Sequence, residues 1–266
     1  DNKELVYYLL EDASLKRRGS GFLKKQFSSF TEPYNLLNMK VAKLYNKEKK
    51  AVKEIEVKPL VYLYNSHQTE EYAKTTLAEY AVNPTVTINN YIMLDVFQKN
   101  NINTITEERS IREVLNLNSW NYAASYKASR IYMEDVKKEY PSLKYFIDLH
   151  RDSLKKDKTT IQIGDKSYAK IIFLIGLENV NYQKNLAFTE EINNKIGEKY
   201  PGLSKGIYKK GGAGVNGVYN QDFSPYTILI EIGGCENTTS EVLNTVLAIS
   251  KVISEVIINN EQKELG

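Results

Sequence analysis

The chain has two histidines, one cysteine and one tryptophan in 266 residues. A lone cysteine excludes an intrachain disulfide, so crosslinks do not hold this fold together. Cys235 directly follows Gly233-Gly234 at the end of an apolar run. It reads as a small buried hydrophobe rather than a catalytic thiol, which would need an electropositive setting. Long hydrophobic runs are missing too. The longest, Ile171-Ile172-Phe173-Leu174-Ile175, stops at Gly176, far short of the ~20 residues of a membrane span. Net charge is only +3, too mild to argue for nucleic acid. No signal-peptide pattern is visible. The first residue is Asp1 rather than Met, so a fragment or processed form is expected, with any anchor or signal upstream.

What is present is ordinary globular material. Hydrophobic and charged shares of 42% and 26% are those of a folded chain, long enough for one large domain. Residues 1–57 read as an N-terminal extension, partly helical near 5–10 and 36–45. Its basic clusters (Lys16-Arg17-Arg18, Lys24-Lys25, Lys47 to Lys50) read as a solvated face. Residues 58–266 read as the catalytic domain. There, apolar strands at 60–66, 145–149 and 226–232 alternate with amphipathic helices at 90–99, 111–140 and 181–200. A hairpin is expected at 159–163 and 167–175 around Gly164-Asp165. Thr238-x-x-Glu241 is a capping box opening a final helix through Ile258. The pattern predicts an α/β fold, a mostly parallel twisted sheet with helices on both faces.

Each histidine ends an apolar strand. His67 closes Leu60–Ser66, and His150 follows Tyr145-Phe146-Ile147-Asp148-Leu149. Carboxyl ends of parallel strands are where α/β proteins keep their sites. Glu70 lies three residues beyond His67, and His-x-x-Glu with a distant histidine can hold zinc. Glu71 competes as the ligand, but the +3 spacing favours Glu70. Glu231 sits inside Thr227-Ile228-Leu229-Ile230-Glu231-Ile232, where a lone carboxylate is costly to bury unless paired or near a metal. Two imidazoles and one carboxylate leave a fourth zinc position open for water, and a second carboxylate can act as its general base.

Two weaker patterns are set aside. Gly212-x-Gly214-x-x-Gly217 matches a dinucleotide fingerprint in letters only, since no helix follows it. It reads as a Gly-rich loop beside the site. A serine triad using Ser66 or Ser153 lacks the Gly-x-Ser-x-Gly elbow.

Four segments together carry a resemblance. Asn65-Ser66-His67-Gln68-Thr69-Glu70, Asp148-Leu149-His150-Arg151-Asp152-Ser153, Asn216-Gly217-Val218-Tyr219-Asn220-Gln221-Asp222 and Ile230-Glu231-Ile232-Gly233-Gly234 resemble the stage II sporulation protein P family. That family is similar to zinc-dependent N-acetylmuramoyl-L-alanine amidases. The resemblance implies a zinc (Zn2+) peptidoglycan hydrolase, membrane-anchored outside the cytoplasmic membrane and acting in engulfment. It would cut the amide between N-acetylmuramic acid and L-alanine, and peptide crosslinks as a second activity. Implied partners are stage II sporulation protein D, a lytic transglycosylase, and stage II sporulation protein M. Implied metal ligands are His67, Glu70 and His150, with Glu231 catalytic.

Arg151 is a candidate catalytic helper, or it pairs with a carboxylate such as Asp152. Asn220 and Gln221 are candidate contacts for the stem peptide, or they shape their loop. Two other functions stay open. A zinc carboxypeptidase would need Arg130 or Arg151 as a clamp for a free carboxylate. A non-catalytic wall-binding module would have no need for Glu231.

Overall fold

The computed structural model describes residues 58–73 and 83–265. The expected extension over 1–57 lies outside the described residues. Along the chain come β1 (Val61–Tyr64), α1 (Thr87–Lys99), β2 (Thr104–Thr106), α2 (Ile111–Leu117), α3 (Ser125–Glu139) and β3 (Tyr145–Asp152). A helical turn at Lys156–Thr159 leads into the hairpin β4 (Thr160–Ile163) and β5 (Lys166–Ala169). Then follow β6 (Ile171–Gly176), α4 (Tyr182–Lys199), β7 (Ser204–Lys210), β8 (Tyr226–Gly234) and α5 (Thr239–Leu265).

Six strands form one sheet in the order β2-β1-β3-β8-β6-β7. All neighbours are parallel except β6 and β8, which run antiparallel. The central strands are apolar on both faces because helices cover both. On one face Val61, Leu63, Ile147, Leu149, Ile228 and Ile230 join one core with Ile92 and Phe97 of α1, Ile192 of α4 and Val246, Ile249 and Ile253 of α5. On the other, Tyr62, Tyr64 and Phe146 pack with Met133 and Val136 of α3. Side chains alternate along a strand, so Asp148 and His150 follow Phe146 onto the α3 face. Glu231 is the register partner of His150 and shares that face.

Several expected boundaries shift. The helix expected over 111–140 is broken after Leu117. Ser119 turns into the left-handed region (φ 54), and the Asn121 side chain accepts the Ala123 N–H to start a new turn. That break frees α3 to cross the sheet independently of α2. The long second hairpin arm is also two strands: β5 stays with β4, whereas β6 joins the main sheet. Two sheet strands carry little apolar signal. β2 is three residues long, and β7 is a Lys-rich edge, a composition that discourages pairing with other chains. The final helix runs on past Ile258 to Leu265. No helix among the described residues is long and apolar enough to cross a membrane.

Candidate metal centre

The turn after β1 places two of the candidate ligands. Asn65 anchors that turn, its amide donating to the Leu149 carbonyl of β3 at 2.6 Å. Gln68 fixes its far side, bonding the Arg109 carbonyl and the Ile111 N–H at the start of α2. Val86 N–H donates to the Glu70 carbonyl at 3.0 Å. His67 and Glu70 are thereby held facing His150. His67 Nδ1 lies 3.3 Å from Glu70 Oε1, and His150 Nδ1 lies 3.5 Å from Glu70 Oε2. One donor atom from each of the three residues lies within 4.8 Å of the others.

Glu71 points elsewhere. Its carboxylate accepts from Asn83 at 3.2 Å. Burial pushes the Glu70 carboxyl up, but hydrogen bonds to His150 and His67 outweigh burial and hold it well below the usual range. Arg151 supports Glu70 through its backbone N–H, at 3.0 Å from Oε2. Its guanidinium bonds the carbonyls of Glu71 and Asp152.

Behind His150 stands a second carboxylate. Asp148 is fully buried and meets His150 Nε2 at 2.9 Å. Ser66 donates to Asp148 twice, from its N–H at 2.9 Å and its hydroxyl at 2.7 Å. A carboxylate on the far nitrogen orients a metal-binding histidine, and here it leaves Nδ1 facing Glu70. Burial favours the neutral ring, but the Asp148 and Glu70 carboxylates outweigh it and raise the His150 pKa well above the ordinary value. Ser66, His150 and Asp148 have the composition of a triad. Ser66 is fully buried and its proton faces Asp148, so its oxygen is no accessible nucleophile.

Glu231 is the chemically distinctive group. Its Oε2 is buried without a hydrogen-bond partner. Burial pushes the carboxyl up to about 7, the nearby positive His150 ring opposing and Glu70, Asp152 and Asp148 adding to the rise.

The amides of Asn220 and Gln221 turn inward. Gln221 is fully buried, accepting from Gly176 N–H at 2.8 Å and donating to the Leu174 carbonyl at 2.7 Å. Asn220 donates to the Tyr126 carbonyl and to Ser129 Oγ. These are the bonds of a loop anchor. Cys235, expected to be buried, is exposed. Gly233 adopts φ 63 and the chain turns there, with Asn237 N–H bonding back to the Gly234 carbonyl at 3.0 Å, so Cys235 rides the tip of the turn.

Two tyrosines near the centre were not singled out from sequence. Tyr122 stacks on the His67 ring at 4.9 Å, Tyr126 meets it edge-on at 5.2 Å, and Tyr126 lies parallel to His150 at 6.2 Å. Their i, i+4 spacing was the available signal, since it puts both rings on one helical face. Asp148 stands with His150 at the strand end in the sequence as well, and its Asp-x-His spacing, which puts both side chains on one strand face, accounts for their contact.

A His-Glu-His cluster beside a half-buried carboxylate with one unpartnered buried oxygen, at the carboxyl ends of parallel strands, defines an α/β protein with a candidate three-ligand metal centre. Residues 22–254 match the family described as Stage II sporulation protein P (SpoIIP), and the chain belongs to that family. It is 34% identical over 207 residues to Stage II sporulation protein P of Bacillus subtilis (strain 168). The match covers 75% of this chain and 51% of that protein, so the chain spans about half the length of the curated relative it matches. Among solved structures it is similar to the CwlD amidase from Clostridioides difficile, solved in complex with the GerS lipoprotein. That likeness has a TM-score of 0.48 at 10% identity and covers 77% of this chain and 98% of that one. It is also similar to a metallo-carboxypeptidase from Burkholderia cenocepacia, with a TM-score of 0.42 at 10% identity, over 78% of this chain and 60% of that one.

Proposed function

We propose that this chain is a zinc-dependent peptidoglycan hydrolase that cleaves the N-acetylmuramoyl-L-alanine amide during engulfment. One observation carries the reading. Three nitrogen and oxygen donors converge within 4.8 Å, beside a buried Glu231 oxygen that has no partner in the protein. The donor set fits zinc, which takes two histidines and a carboxylate in many hydrolytic sites. Asp148 and Ser66 supply the outer support that such a histidine needs. His67, Glu70 and His150 would hold the ion. Bound zinc would polarise the scissile carbonyl and lower the pKa of its water.

The protein's own residues then have distinct tasks. Glu231, poised near neutrality, accepts the proton of the attacking water and delivers it to the leaving amine. Glu70 would serve as the ionised carboxylate ligand beside the two imidazoles. Arg151 positions Glu70 through its N–H and braces the Glu70-Glu71 turn through its guanidinium.

A carboxypeptidase would need a free cation for the substrate carboxylate. Arg130 is engaged by Glu134 at 2.9 Å and Asp222 at 2.8 Å, and the Arg151 guanidinium is engaged by backbone carbonyls. That occupancy favours the amidase reading. Its substrate lies outside the cytoplasmic membrane. Membership of the sporulation family supports stage II sporulation proteins D and M as proposed partners, and peptide-crosslink cleavage as a second proposed activity.

The test is zinc analysis joined to a muropeptide digest of wild type, His150→Ala and Glu231→Ala. We expect bound zinc and free stem peptides from wild type, zinc without cleavage from Glu231→Ala, and weak zinc binding by His150→Ala. Loss of only a terminal residue from the stem would replace the amidase with a carboxypeptidase. A wild type that neither binds zinc nor cuts would be a wall-binding module.

A further inference from the structure

The segment 216–222 carries the most specific motif in the sequence, yet Asn220 and Gln221 turn their amides into the protein. The Asn216 side-chain oxygen Oδ1 accepts from the Val218 and Tyr219 N–H groups at 3.1 and 2.7 Å. The chain then holds Tyr219 (φ 52) and Asn220 (φ 56) in the left-handed region. That region is disfavoured for a non-glycine residue, above all a bulky one, and persists only where the surroundings enforce it. Here they do. Gln221 is pinned to β6, Asp222 pairs with Arg130 of α3, and Asn181 donates to the Asp222 carbonyl at 3.0 Å.

The strained pair converges on one residue. Tyr219 meets the Tyr126 ring edge-on at 5.4 Å. Asn220 donates one amide hydrogen to the Tyr126 carbonyl at 2.9 Å and the other to Ser129 Oγ at 3.0 Å. The Ser129 hydroxyl itself donates to the same carbonyl. Tyr126 in turn lies edge-on to the His67 ring and parallel to the His150 ring.

We propose that this segment acts on the metal centre through Tyr126, as a brace holding the His67 and His150 rings in ligating orientation, and not by contacting substrate. Tyr126 is a positioning residue. Its ring lies against the His67 ring and alongside the His150 ring. The inference rests on the metal reading of the site. Outer supports of this kind set metal affinity by fixing ligands before the metal arrives.

The experiment measures zinc affinity by chelator competition and the visible spectrum of the cobalt-substituted protein. It uses the full chain as wild type, Tyr126→Ala, Tyr126→Phe, Asn220→Ala and the Tyr126→Ala/Asn220→Ala double variant. Urea unfolding of the metal-free forms establishes that each is folded. We expect Tyr126→Ala and Asn220→Ala each to weaken zinc about 10–100-fold and to shift the cobalt bands. The double variant should be no weaker than Tyr126→Ala, since both act through one residue. Tyr126→Phe, which keeps the ring, should recover most of the affinity. If Tyr126→Ala does not fold, Asn220→Ala decides alone. An Asn220→Ala protein with wild-type zinc affinity and cobalt spectrum overturns the brace, whatever its KM. A wild type that binds neither ion overturns the metal reading instead, so the two failures are distinct.

Discussion

Glu231→Gln should stabilise the metal-free protein, and by more as pH rises. Glu231 is carried from an ordinary 4.5 to about 7 by burial and by neighbouring carboxylates. A raised folded-state pKa means the fold prefers the protonated carboxyl. The resulting stability is fully present below about 4.5 and is lost as pH climbs through about 7. At about 1.4 kcal/mol per tenfold change in proton affinity, the ionised carboxylate costs the metal-free fold about 3 kcal/mol. Glutamine has the same shape and no charge, so it escapes that cost at every pH.

The assay is urea unfolding in the presence of a chelator at pH 5 and pH 8, taking variant minus wild type at each pH. Titrations common to both proteins cancel in that difference. The stability advantage of Glu231→Gln should widen by about 2.5 kcal/mol from pH 5 to pH 8. Restoring zinc should narrow it, because a nearby dication favours the charged carboxylate. A difference that stays constant between the two pH values would refute the claim that the half-buried Glu231 is held near neutrality. The same variant should be inactive on cell wall, since it has lost the base. Greater metal-free stability with no activity is the signature of a residue kept for chemistry rather than for folding.

Three further outcomes follow from single contacts. Glu70→Gln should weaken zinc binding by about 10-fold or more, whereas Glu71→Gln should leave it unchanged, because the Glu71 carboxylate bonds Asn83; equal losses in a competition titration would count against Glu70 as the ligand. Gly176→Ala should destabilise the protein by about 1–3 kcal/mol in urea unfolding, since a Cβ there collides with the Gly217 carbonyl, which also accepts the Glu178 N–H at 2.9 Å; a wild-type midpoint would contradict that packing. Cys235 should react with a thiol reagent in the native protein as fast as in urea, because it is exposed; protection that disappears only on unfolding would show it to be buried.

Sequence made the strand-borne part of this centre legible for a physical reason. A histidine or a carboxylate inside or closing an apolar run is a visible exception to burial, and strand periodicity then fixes the face it takes. His150 and Glu231 could be set side by side from that logic once their strands were paired, and the structure pairs them in register. The turn that carries Glu70 was legible from spacing alone, because three residues after a strand end are enough to fold back.

The α3 side obeyed no such rule. Tyr126 reaches the two imidazoles only because the helical region breaks at Ser119, and the break is set by one residue's left-handed backbone and one asparagine cap. Asn220 and Gln221 show why a motif does not reveal its direction. An amide in a loop can serve a ligand or the loop's own backbone with the same two donors and one acceptor. Which it serves depends on whether the carbonyls of Tyr126 and Leu174 lie within reach, and that is decided by how a helix and a strand dock from elsewhere in the chain. Residue type therefore pointed to the strand ends, whereas tertiary packing turned those amides onto the protein's own carbonyls.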